Sequence, residues 1–245
     1  MKKTLTTRFL TLGLATLAAS SVAFAADDHG GPVVPKPYTT GATLTKSVQA
    51  SITPDKAIDI LKAGNARFAA NKPLRRNLKA QVQTTALGQF PFASVVGCLD
   101  SRTAPELVFD QGIGDVFVAR VAGNTVNPDI LGSLEYASKV AGSRVIVVLG
   151  HTSCGAIKGA CDDVKMGNLT TLLEKFKPAV AAASTPGEHN SHNHAFVDDV
   201  TELNVKQVVA RIRAESPILK ALEDAGRIRI VDARYDTSSG KVSWF

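Results

Sequence analysis

Three nearly continuous apolar stretches stand out along the chain: "FASVVGC" (92–98), "DVFVARVAG" (115–123) and "RVIVVLGH" (144–151). Each is rich in Val or Ile and lacks the alternation of a strand with one wet face. Each therefore predicts a strand covered on both sides. Residues 105–110 and 129–141 between them carry helical patterns. This alternation predicts an α/β fold, a mainly parallel central sheet flanked by helices. Upstream, "TPDKAIDILKAGNARFAAN" predicts a helix that Thr53 caps and Pro54 begins, with Ala57, Ile58, Ile60, Leu61 and Phe68 on its apolar face. Downstream, helical patterns cover 168–183, 197–215 and 218–225, with the polar loop "STPGEHNSHNHAF" between the first two. The closing "RIRIVDARYDTSSGKVSWF" predicts a hairpin that turns near Ser238, Ser239 and Gly240. No internal repeat is present.

The first 25 residues do not follow this pattern. Lys2, Lys3 and Arg8 precede an apolar core over 9–19, and Ala23-Phe24-Ala25 forms a small-x-small site. This is the build of a secretory signal peptide, cleaved after Ala25. An uncleaved anchor is the alternative, but the core is shorter than the roughly 20 residues a spanning helix needs. The expectation is export to the periplasm, an irregular arm over 26–50, a single domain over 51–245, and no membrane contact after cleavage. Three cations of the net charge of +6 belong to the leader. The remaining excess is too mild to argue for nucleic acid, and no Lys/Arg stripe with interleaved aromatics supports it.

Cys98, Cys154 and Cys161 are the only cysteines. An oxidising compartment favours pairing, but three is odd, so at least one thiol is free, metal-bound or paired between chains. Cys161 lies seven residues after Cys154, two helical turns or roughly 10 Å away, beyond disulfide reach, and reads as packing.

In a parallel sheet, Cys98, His151 and Cys154 all fall at the carboxyl edge, where ligands bind. Two thiolates and an imidazole suit Zn²⁺, and three protein ligands leave a fourth position open, as in catalytic sites. The plainer alternatives are small buried cysteines at strand ends and an incidental His-x-x-Cys. Beyond Cys98, "CLDSR" sets Asp100 and Arg102 around Ser101. That carboxylate can take the fourth metal position or accept a hydrogen bond beside it, and Arg102 can hold it by a bidentate pair. A surface ion pair is the plain reading. His189, His192 and His194 read as a solvated loop.

"CLDSR", followed some fifty residues later by "GHTSCGA", resembles the β-class carbonic anhydrases. The resemblance runs through "PELVFDQGIGDVFVARVAGN", "GSLEYA" and "VIVVLGHTSCGAIKGA" and covers roughly residues 56–240. It implies one Zn²⁺ held by Cys98, His151 and Cys154, with Asp100 and Arg102 as a partnered dyad. In some relatives the aspartate closes the fourth zinc position; in others it leaves the metal open to water. The implied reaction is reversible hydration of CO₂ to bicarbonate and a proton by zinc hydroxide. Gln89, nine residues before Cys98, corresponds to the family's substrate-facing glutamine. Phe117 corresponds to an aromatic lining residue. Gly155 offers an N–H to the substrate. Val95 stands where bicarbonate-gated members carry tryptophan, which favours the open type, and Ala122 replaces a pocket-lining valine. The resemblance also implies an N-terminal helical arm exchanged between subunits, with the 53–68 helix in that role, and a homodimer or homotetramer. Competing readings are hydrolysis of another small linear electrophile such as CS₂ or COS, a thiol-redox protein, and a non-catalytic zinc-binding protein.

Overall fold

The computed structural model describes residues 42–245; the expected leader and residues 26–41 of the expected arm lie outside it. The chain runs α1 (Lys46–Ser51), α2 (Pro54–Ala69), α3 (Leu78–Thr85), β1 (Ala93–Gly97), α4 (Pro105–Val108), β2 (Val116–Arg120) and α5 (Pro128–Glu135). It continues with β3 (Val145–His151), α6 (Gly155–Cys161), α7 (Gly167–Glu174), α8 (Lys177–Ala182), α9 (His194–Glu215), α10 (Pro217–Asp224), β4 (Arg229–Tyr235) and β5 (Val242–Trp244). The sheet order is β2-β1-β3-β4-β5. All neighbours are parallel except β4 and β5, which form the closing hairpin.

The sheet separates two apolar layers. On one side, Ile60 and Leu61 of α2 pack with Phe92, Val95, Phe109 and Val147. On the other, Val205, Val208 and Ile212 of α9 pack with Val96, Ile146 and Val148. β1 and β3 are buried at every residue, as their continuous apolar runs require. β2 departs from expectation. It is an edge strand, half-buried along its length and exposed at Arg120.

One other expectation is corrected. The arm over 26–50 is not irregular to its end, because residues from Lys46 onward form α1, capped by Thr45. Leu44 and Ile52 bury in the core, and the buried Gln49 donates to the carbonyls of Pro91 and Ala141. The 53–68 helix expected as the arm is α2. It packs on its own sheet, where Asn65 donates to the carbonyls of Val108 and Gly240.

Candidate metal centre

Three chain segments meet at the carboxyl edge of the sheet. Cys98 follows the last residue of β1, His151 ends β3, and Cys154 caps α6. In the register Gly97 of β1 pairs with Leu149, so Cys98 comes level with the residue before His151. The turn between His151 and Cys154 is tied down from two directions. The Thr152 amide donates to the Tyr235 carbonyl, and the Thr237 amide donates to Thr152 Oγ1. Ser153 takes a left-handed φ of 56°, which swings Cys154 back towards Cys98. That conformation costs about 1 kcal/mol in a non-glycine residue.

The ligand atoms of Cys98, His151 and Cys154 all lie within 4.8 Å of one another, and all three residues are buried. The two sulfurs are 4.0 Å apart. His151 Nδ1 lies 2.9 Å from the Thr152 carbonyl oxygen, which can only accept, so Nδ1 carries the proton and Nε2 presents its lone pair. Nε2 is buried and has no hydrogen-bond partner among the described residues. An orphaned imidazole nitrogen facing two sulfurs fits a tetrahedral zinc donor set with one position left over.

The thiols titrate as a pair. The hydrogen bond from Cys154 pulls the Cys98 thiol down to about 4 against the opposing effect of burial, with help from His151 and the Gly123 amide. Cys154 is pushed up by the same bond and by burial, while the Ile157 and Ala156 amides of α6 act the other way. The pair thus keeps one proton until a cation displaces it. The Gly123 N–H donates to Cys98 Sγ at 3.3 Å from a backbone with φ of 66°. A Cβ at Gly123 would stand 2.4 Å from the buried Phe176 ring, so only glycine fits this approach.

Asp100 lies beside the cluster, its Oδ2 4.0 Å from His151 Nε2. It is not gathered in as a fourth ligand, because Arg102 and its own loop occupy it. Arg102 Nε donates to Oδ1 at 2.9 Å, Nη2 to Oδ2 at 2.8 Å, and the Arg102 amide to Oδ1 at 2.9 Å. Those bonds hold the Asp100 carboxyl down at about 2. Arg102 Nη2 also reaches the Ser153 carbonyl at 3.4 Å, linking the dyad to the His151–Cys154 turn.

Arg120 was not singled out by the sequence. From the end of β2 it donates to the carbonyls of Cys98 at 2.9 Å and Asp100 at 2.6 Å. A lone cation at the end of an apolar strand was the available signal. Gly155 opens α6 next to Cys154, and none of the described residues lies within 4 Å of where its Cβ would be, leaving space beside the cluster. Gln89 and Phe117 are not brought to this centre. Phe117 pairs with Ser94, four residues or roughly 13 Å of strand short of Cys98. There it meets Tyr136 edge to face, with ring centroids 6.4 Å apart. Gln89 is exposed and precedes β1. In the polar loop, His189 stacks on Phe196 rather than joining a metal cluster.

A family model described as carbonic anhydrase matches residues 93–242. Carbonic anhydrase 2 of Mycobacterium tuberculosis is 36% identical over 194 residues, covering 77% of this chain and 91% of that protein. Among solved structures, a β-carbonic anhydrase of Aspergillus fumigatus superposes with a TM-score of 0.60 at 25% identity, covering 78% of this chain and 89% of that one. A structure from a study of two tetrameric β-carbonic anhydrases of Sordaria macrospora shares the fold, with a TM-score of 0.57 at 24% identity over 75% of this chain and 93% of that one.

Proposed function

Because the chain belongs to the β-class carbonic anhydrases, which use zinc, we propose that Cys98, His151 and Cys154 hold one Zn²⁺ and that this centre converts CO₂ to bicarbonate and a proton. The observation that carries the reading is the buried, unpartnered Nε2 of His151 facing two sulfurs. When bound, zinc supplies a Lewis acid that brings the pKa of water towards neutrality. The chain does the rest. Ionised Asp100 offers only acceptor oxygens, so Oδ2 accepts the O–H of the attacking species and leaves its lone pair aimed away from the dyad. Arg102 fixes the angle of that carboxylate. The Gly155 N–H donates to the substrate oxygen that gains negative charge.

Gln89 and Phe117 serve the centre of a second copy in this reading, so the enzyme works as a homodimer or homotetramer. Support comes from the half-buried edge strand β2 and from exposed apolar side chains at Leu99, Tyr136 and Val140. The first 25 residues direct export to the periplasm, which N-terminal sequencing of the mature chain checks at Ala26.

Stopped-flow CO₂ hydration across pH 6–9, paired with zinc analysis, tests the function. Expected are loss of zinc and activity together in Cys98→Ser, His151→Ala and Cys154→Ser, and retained zinc with most activity lost in Asp100→Asn. A fully zinc-loaded native chain without hydration contradicts the reading.

A further inference from the structure

The opposite, amino edge of the sheet holds a cleft of about 430 Å³. Four cations from separate segments line it: Lys46 of α1, Lys139 in the π-helical turn after α5, Arg144 before β3 and Arg227 before β4. No carboxylate among the described residues lines the cleft. Among the described residues none of the four forms an ion pair. Like charges gathered without relief destabilise a fold, and the field they set up attracts anions.

Two donor atoms of the lining residues Ser138 and Arg144 are also unpartnered among the described residues. Ser138 Oγ belongs to a residue only 5% exposed, and Arg144 Nε is buried; neither has a hydrogen-bond partner among the described residues. Ser138 lies within the π-helical turn Tyr136–Val140, a local distortion that recurs at functional sites because it redirects a side chain.

We propose that this cleft binds a small oxyanion of charge −2 or more, of the phosphate and phosphate-ester class. Arginine's fork and lysine's point charge both suit phosphate oxygens, and a hydroxyl adds a directional donor. A monoanion such as bicarbonate would offset only one of the four charges. Gln89, Tyr136 and Val140 also line the cleft, so it borders the face proposed above to meet a second copy, and zinc chelation separates phosphate binding here from binding at the metal.

Titration calorimetry of the full zinc-loaded chain with inorganic phosphate, at fixed ionic strength, tests it. One saturable site per chain is expected. The double charge reversal Lys139→Glu with Arg227→Glu should weaken binding by at least about tenfold, the equivalent of one charge-assisted hydrogen bond. Circular dichroism and zinc content of that variant should match the native chain, and Ser138→Ala should weaken binding severalfold. The proposal is overturned by absence of saturable binding, by binding of bicarbonate but not phosphate, or by phosphate binding that survives the charge reversals and disappears on zinc chelation.

Discussion

Arg102→Lys separates two roles that an arginine beside an aspartate can play. Asp100 is ionised at neutral pH with or without Arg102, because even its ordinary pKa of 3.8 lies far below 7. Arg102 therefore contributes orientation rather than ionisation. Lysine keeps the charge but loses the fork that spans both carboxylate oxygens at 2.9 and 2.8 Å. A charge-assisted hydrogen bond contributes about 1.5–3 kcal/mol. The Arg102 side chain is 52% exposed, and solvent screening reduces the loss to about 1–1.5 kcal/mol. That corresponds to about a tenfold fall in kcat. Zinc content should stay at the native level, since Asp100 is outside the ligand cluster. Stopped-flow CO₂ hydration at pH 7–9 reads the rate, with metal analysis of the same sample. Native activity in Arg102→Lys would refute the orienting role, and so would a loss that merely tracks lost zinc.

The low pKa of Asp100 gives a second test. Its value near 2 means that the Arg102 contribution is complete above the ordinary carboxylate pKa and is lost as pH falls through about 2. Arg102→Ala should move the Asp100 titration up towards 3.8, as read by carboxyl-carbon NMR; an unchanged midpoint would contradict the pairing. Gly123→Ala forces a side chain into left-handed backbone and against the Phe176 ring, with an expected cost of about 2–4 kcal/mol. Chemical denaturation should show that loss together with weaker zinc retention, because the Gly123 amide would move off Cys98; native stability would contradict the close approach. Mixing inactive Gln89→Ala and Cys98→Ser chains after partial unfolding should restore hydration in mixed oligomers. No recovery would argue against a glutamine supplied by a second copy.

Much of the site was legible because its ligands end apolar runs. Strand ends can be read from sequence, and a parallel sheet delivers them to one edge. The status of β2 was not legible: "VFVAR" looks like a central strand, and only strand order reveals an edge. The helix α3 was missed because "LKAQVQTT" lacks an apolar stripe and leaves Leu78 and Val82 exposed. The single helical stretch over 168–183 is instead α7 and α8, interrupted at Lys175–Phe176, where Pro178 opens the first turn of α8. The histidine tautomer and the Arg120 clamp depend on carbonyl positions that no spacing rule supplies. Gln89 and Phe117 match family positions in sequence, yet the β1–β2 register sets Phe117 far from Cys98 in the same chain.

The central claim is that one zinc ion at Cys98, His151 and Cys154 makes this chain a CO₂ hydratase. Titration of Zn²⁺ into the metal-free, reduced chain, with the hydration rate followed at each addition, tests it most directly. The rate should rise in proportion to bound zinc and level off at one ion per chain, with no rise in Cys154→Ser. A rate indifferent to zinc, or none at full occupancy, would contradict it.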